Sequence, residues 1–154
     1  MSKKPFVSKE KLDKIAAQYA TPFYLYDETA IRETARRVNK AFAWNQGFKE
    51  YFAVKATPNP AILKILHEEG CGADCSSYTE LQMADAVGFK GDEIMFSSNA
   101  TPAEDFQLAR QLNVTINLDD ITHIDFLEKV ADIPDTVSCR YNPGGVFKMS
   151  NGIM

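Results

Sequence analysis

Five groups that could do chemistry recur through the middle of the chain, each where an apolar run gives way to turn residues. Lys55 follows Tyr51-Phe52-Ala53-Val54 and precedes Ala56-Thr57-Pro58-Asn59-Pro60. Asp74 to Ser77 follow Gly72-Ala73, and Ser97-Ser98-Asn99 follow Ile94-Met95-Phe96. Asn117 to Asp120 follow Val114-Thr115-Ile116, and Arg140 to Asn142 follow Val137-Ser138-Cys139. The set mixes an amine, carboxylates and a guanidinium, well beyond what turns need. Buried charges require partners, so Lys55, Asp74 and Arg140 are expected to balance one another or an anionic ligand.

A lysine at the end of a buried strand has two readings. Its stem can lie in the sheet interior while the amine snorkels to water, the usual arrangement for lysine. Alternatively its amine is partly desolvated at the mouth of a site, which lowers its pKa and suits it to Schiff-base chemistry. Lys55 alone does not decide between them. Taken singly, Asp74 is more often a strand-end hydrogen-bond acceptor, and Arg140 more often a surface or salt-bridged arginine.

Other motifs carry less. Gly70-Cys71-Gly72-Ala73-Asp74 fails as a dinucleotide fingerprint, because the third glycine is missing and the glycines precede a strand. His67 and His123 have no neighbouring ligand or triad partner and read as structural. Tyr24, Tyr26, Tyr51 and Phe52 read as core or interface aromatics. Cys71 and Cys75 are four apart with no histidine near, which fits no zinc spacing. The three cysteines, with Cys139, read as reduced thiols packed as small apolar residues in a cytoplasmic protein.

The elements that must position these groups follow a cadence. Strand candidates begin near Tyr51, Cys71, Ile94, Val114 and Thr136, spaced by 20 to 23 residues. Between them lie amphipathic stretches with their own start and stop signals. Asn59-Pro60 caps the first, and Gly70 ends it. Ser77-Tyr78-Thr79-Glu80 is a capping box, and Gly88 ends its helix; Thr101-Pro102-Ala103-Glu104 is a second box. Asp119 or Asp120 caps the last stretch. Upstream, Ser8 to Tyr19 reads as a helix stopped by Thr21-Pro22, and Phe23 to Tyr26 as a short strand. Asp27 caps a longer helix with Ile31, Ala35, Val38 and Phe42 on its apolar face, while Arg32, Glu33, Arg36 and Arg37 form a solvated one.

Alternating strands and helices at this spacing mean βαβ units and a parallel sheet with all strand ends on one side. Both an open doubly wound sheet and a (β/α)8 barrel fit. At 154 residues the length favours the open sheet, since a whole barrel takes about 250. The chain ends without a closing helix, however, in Lys148 to Met154, and the simplest expectation is the front part of a longer barrel. With 45% hydrophobic residues, a net charge of −4 and a pI near 5.2, nucleic acid and anionic membrane are poor partners. No stretch is long enough to span a bilayer, and the start lacks the apolar region of a signal peptide.

The ordered set of motifs resembles the alanine-racemase-fold (fold type III) pyridoxal-phosphate decarboxylases, and within them diaminopimelate decarboxylase. It comprises Thr21 to Asp27, Tyr51 to Ala56, Gly72 to Leu81, Phe96 to Asn99, Asn117 to Asp119 and Arg140 to Gly144. The resemblance implies an α/β chain: a partial parallel (β/α)8 TIM barrel of about five strands, cut before the rest of the barrel and a β-domain. Residues 1–27 would be the helix and strand leading in, and 28–154 the first part of the cofactor-binding barrel. It implies that Lys55 forms the Schiff base with pyridoxal 5'-phosphate, that Asp74 lies beside that lysine and that Arg140 lies near the cofactor ring.

The implied reaction turns meso-diaminopimelate into L-lysine. Alternatives are a sister enzyme for ornithine, arginine or carboxynorspermidine, or a non-catalytic regulatory relative. The implied partner is a small amino-acid substrate, in a cytoplasmic homodimer when full length. The chain departs from the family in Tyr78-Thr79, where glycines are usual. The phosphate loop and other downstream site residues are expected beyond Met154. The segment alone is therefore expected to be inactive, to hold the cofactor weakly and to self-associate through open strand edges.

Overall fold

The computed structural model describes residues 5–141. The elements are α1 Lys9–Ala16, α2 Glu28–Ala41, β1 Tyr51–Ala53, α3 Pro60–Glu68, β2 Gly72–Cys75, α4 Tyr78–Val87, β3 Ile94–Ser97, α5 Ala103–Gln111, β4 Thr115–Leu118, α6 Thr122–Ala131 and β5 Ser138–Cys139. The five strands form one parallel sheet in the order β1-β2-β3-β4-β5. That order decides between the two architectures. A doubly wound sheet reverses direction at a switch point, whereas each strand here adds beside the last, as in a barrel.

Parallel register gives the sheet two unlike faces. Phe52, Ala73, Cys75, Ile94, Phe96, Ile116 and Leu118 alternate towards the helices. All but Phe52 are buried, in a core with Val54, Leu63, Leu81, Phe106 and Leu127. The intervening residues Ala53, Asp74, Met95, Ser97, Thr115, Asn117 and Ser138 face the lumen and are half-buried. The strands are thus not the uniformly apolar runs that the first one suggests. Burial pushes the Cys75 thiol up to about 12. Cys71 is buried as expected, but Cys139 is exposed, so the packed-thiol expectation fails there.

The three middle helices stop in the same way. Gly70, Gly88 and Asn113 have φ of 82°, 119° and 54°. The next residue of each donates five back, Cys71 to Leu66, Phe89 to Ala84 and Val114 to Ala109, at 3.0, 3.2 and 3.1 Å. These are Schellman ends, which satisfy the last carbonyls and swing the chain into the following strand. Asn113 does a glycine's work in the third. The starts vary more. Asn59 accepts from Ala61 N–H at 2.9 Å, and Ser77 from Glu80 N–H. Glu80, however, reaches back to Ser76 N–H, at 2.8 Å, one residue earlier than a capping box requires. At α5 the expected box is absent: Pro102 is itself the cap, and the Thr101 hydroxyl donates to Ser98 O at 3.3 Å.

Two upstream expectations are corrected. Phe23 to Tyr26 is extended but not a strand, because no neighbouring strand among the described residues supplies hydrogen bonds; Tyr24 is 89% exposed and stacks on Tyr26. Helix α2 packs Ile31 and Ala35 on Ile62, Leu66 and Cys71. Its charged face is only half solvated. Glu33 and Arg37 are exposed, but Arg32 bonds Glu68 and Glu69 at 2.7 and 3.0 Å, and Arg36 bonds Glu69 at 2.6 Å. The Glu69 side chain is 8% exposed, and the Arg36 and Arg32 guanidiniums hold its carboxyl below the usual range. The turn from Asn142 and the tail to Met154 lie outside the described residues.

Candidate active site

The carboxyl ends of the strands bring the expected groups to one rim. Strand β1 stops at Ala53, and Val54–Ala56 wrap into a 3-10 turn closed by Thr57 N–H on Val54 O at 3.1 Å. Val54 is drawn fully into the core, and Lys55 follows it on the exposed side. Ala53 pairs with Asp74, so Lys55 and Asp74 leave neighbouring strands at the same end. Of the two readings of the lysine, the structure shows the solvent-reaching one and not the partly desolvated one. Lys55 is exposed, because five strands line only one side of a lumen.

The three charged residues do not balance one another either. Asp74 accepts a hydrogen bond from the Ser97 hydroxyl on β3. Arg140, one residue past β5, donates from Nη1 to Asp119 Oδ1 at 2.8 Å, while its backbone N–H bonds Leu118 O at 2.9 Å. Asp74 and Arg140 thus each have a partner on the adjacent strand instead of across the rim, and Lys55 is bonded to neither. Asn117 and Ser138 complete the row, the Ser138 hydroxyl donating to Asn117 Oδ1 at 2.8 Å. In the sequence Ser138 stands inside a strand with no sign of a role. Its signal was strand alternation, since it is the register partner of Asn117.

The two adjacent acids after β4 have separate tasks. Asp120 Oδ1 accepts from the N–H and hydroxyl of Thr122, at 2.9 and 2.6 Å, and so starts α6. Those bonds lower its pKa. Asp119 is left for Arg140. Of the histidines, His67 packs on Phe89 and lies 3.3 Å from Glu93, far from the rim. His123 packs edge-on against Phe106, with Nδ1 buried and unbonded.

Residues 28–149 match the family described as pyridoxal-dependent decarboxylase, pyridoxal binding domain. The chain belongs to that family. It is 46% identical over 140 residues to protein TabA of Pseudomonas amygdali pv. tabaci, covering 91% of the chain and 32% of that protein. It is 36% identical over 131 residues to the diaminopimelate decarboxylase of Methanothermobacter thermautotrophicus, covering 84% of the chain and 31% of the relative. The Helicobacter pylori diaminopimelate decarboxylase complexed with L-lysine superposes with a TM-score of 0.67 at 31% identity, over 77% of this chain and 30% of that one. The chain thus spans about a third of the length of the curated relatives it matches. Its five parallel strands correspond to the first part of the decarboxylase barrel.

Proposed function

We propose that the protein to which this domain belongs decarboxylates meso-diaminopimelate to L-lysine, with pyridoxal 5'-phosphate held at the carboxyl rim by Lys55, Asp74 and Arg140. The observation that carries this is the meeting of an accessible amine, a carboxylate and a guanidinium on one rim of a sheet in this family. The donor set suits an anionic aromatic aldehyde. Lys55 offers an unencumbered amine to the carbonyl. Arg140 keeps guanidinium donors beyond the one given to Asp119. Asp74, fixed by a neutral hydroxyl, holds negative charge next to the lysine's strand.

Bound there, the cofactor supplies the electron sink that takes up the charge left when carbon dioxide departs. The chain's part is orientation. The 3-10 turn holds Lys55 at the rim, and Ser97 fixes the Asp74 carboxylate, so that reacting groups meet without a search. The diaminopimelate relatives support this substrate.

Incubation with pyridoxal phosphate, borohydride reduction and peptide mapping test the site. The label is expected on Lys55, and a label spread over surface lysines refutes the assignment. Turnover of meso-diaminopimelate against ornithine, arginine and carboxynorspermidine by the longer protein tests the substrate, and none turned over would indicate a non-catalytic relative.

The 154 residues alone are proposed to be inactive and to hold the cofactor weakly, since they line one side of the lumen. Measurable turnover by them would defeat that. Strands β1 and β5 edge the sheet, so the isolated segment is proposed to self-associate. A clean monomer in sedimentation contradicts this.

A further inference from the structure

We infer that Asp119 is a positioning residue for Arg140, fixing where the guanidinium sits at the rim before any ligand arrives. The inference rests on the reading above for what Arg140 serves. It does not depend on it for the ion pair itself. An exposed ion pair on two floppy side chains contributes little, and the Arg140 side chain is 53% exposed. Three observations separate this pair from that case.

The first is that both backbones are fixed. The register Asn117 with Ser138 and Leu118 with Cys139 places Asp119 and Arg140 opposite one another, on the lumen side by alternation. The Arg140 N–H to Leu118 O bond and the Ser138 to Asn117 bond clamp the same two strands. The second is that the Asp119 side chain is only 21% exposed, so its charge is screened less than that of a surface acid. The third is the lack of a competitor among the described residues. Asp120, the other acid bordering the 190 Å³ recess at these strand ends, is occupied by Thr122. Asp74 is occupied by Ser97.

The pairing also leaves Arg140 usable. Only one Nη1 donor is committed to Asp119, and a guanidinium has five in a fixed fork. A tethered fork aims its remaining donors, which is what recognition of an anionic ligand needs.

The test uses Asp119→Asn, Asp119→Glu, Arg140→Ala and the double variant Asp119→Asn/Arg140→Ala in the full chain. The first readout is the Arg140 Nη1–H resonance without cofactor. It is expected to be resolved in the parent, to collapse to the free-arginine position in Asp119→Asn and to return in Asp119→Glu. An Arg140 resonance indifferent to Asp119→Asn overturns the inference. The second readout is pyridoxal phosphate affinity by titration. Asp119→Asn is expected to weaken it about tenfold, with no further loss in the Arg140→Ala background. Fully additive losses overturn it as well. Borohydride mapping runs in parallel: label away from Lys55 in the parent defeats the proposed function, and the resonance still decides whether Asp119 positions Arg140.

Discussion

The two rims of this sheet are made by the same five strands and are put to opposite uses. At the amino-terminal rim, Tyr51 lays its ring across Gly72, so closely that a methyl group there would sit 2.6 Å from the ring and 2.7 Å from Glu93 O. The Tyr51 hydroxyl donates to Asp92 O at 2.5 Å, and the Lys49 ammonium stands 5.9 Å from the ring centroid. At the carboxyl rim the lumen-facing rows carry Lys55, Asp74, Ser97, Asn117, Ser138 and Arg140. Asp74 is bonded to Ser97, Asn117 to Ser138 and Arg140 to Asp119, each across neighbouring strands, and Lys55 is left open. One end is packed and the other is poised, the division of labour that parallel barrels show generally.

If that division holds, function and stability should separate cleanly under mutation. The largest effect is expected from Lys55→Ala: borohydride-fixed label at this position falls to background. Unfolding free energy should change by less than about 0.5 kcal/mol, because the side chain is exposed. Equal damage to label and stability would blur the contrast between the rims. The reverse is expected of Gly72→Ala. Its new methyl meets a backbone carbonyl that cannot swing away, and overpacking of this kind costs about 2 kcal/mol, read as a lower midpoint in denaturant unfolding. Label on Lys55 should survive in whatever fraction remains folded. An unchanged midpoint would mean that Tyr51 and Glu93 yield easily and that the amino-terminal rim is not the packed end.

The division between faces was only partly legible in the sequence. The cadence of strands and helices was plain, because turn chemistry punctuates it: Asn59-Pro60, Gly70, Ser77 and Gly88 each do what their residue types favour. The third helix end was missed because asparagine adopts the left-handed conformation less often than glycine, and only the structure shows that Asn113 does. Periodicity says nothing of a strand's neighbours, so the sequential order rested on the expectation of a barrel front, drawn from the missing closing helix and the family resemblance, and the sheet bears it out. The rim residues were legible as a set, being the polar residues after each strand. Their partners were not. Lys55, Asp74 and Arg140 could have neutralised one another, but register places Ser97 beside Asp74 and Asp119 beside Arg140, and adjacent strands win over a span of the lumen. The charged face of α2 misled for a similar reason, as Glu68 and Glu69 are more than thirty positions away in the chain.

The smallest expected effect tests what holds the carboxyl rim from behind. Tyr78 gives its N–H to Asp105 Oδ2 at 3.1 Å, tying the start of α4 to α5. Asp105 is 6% exposed. Burial raises its pKa, Glu104 adds to the rise, and the Tyr78 N–H only partly opposes it. The sign follows from linkage. A carboxyl with a raised folded pKa contributes its full stability below its unfolded value, about 3.9, and loses it as pH rises through the folded value. Asp105→Asn keeps an acceptor for Tyr78 and cannot ionise. Its stability relative to the parent should therefore climb as pH is raised from strongly acid towards neutral and then level off. Urea unfolding at a series of pH values measures this. A flat difference would mean that the Tyr78 bond cancels the effect of burial, and one that falls with pH that the bond outweighs it, making the Asp105 charge an asset to the rim.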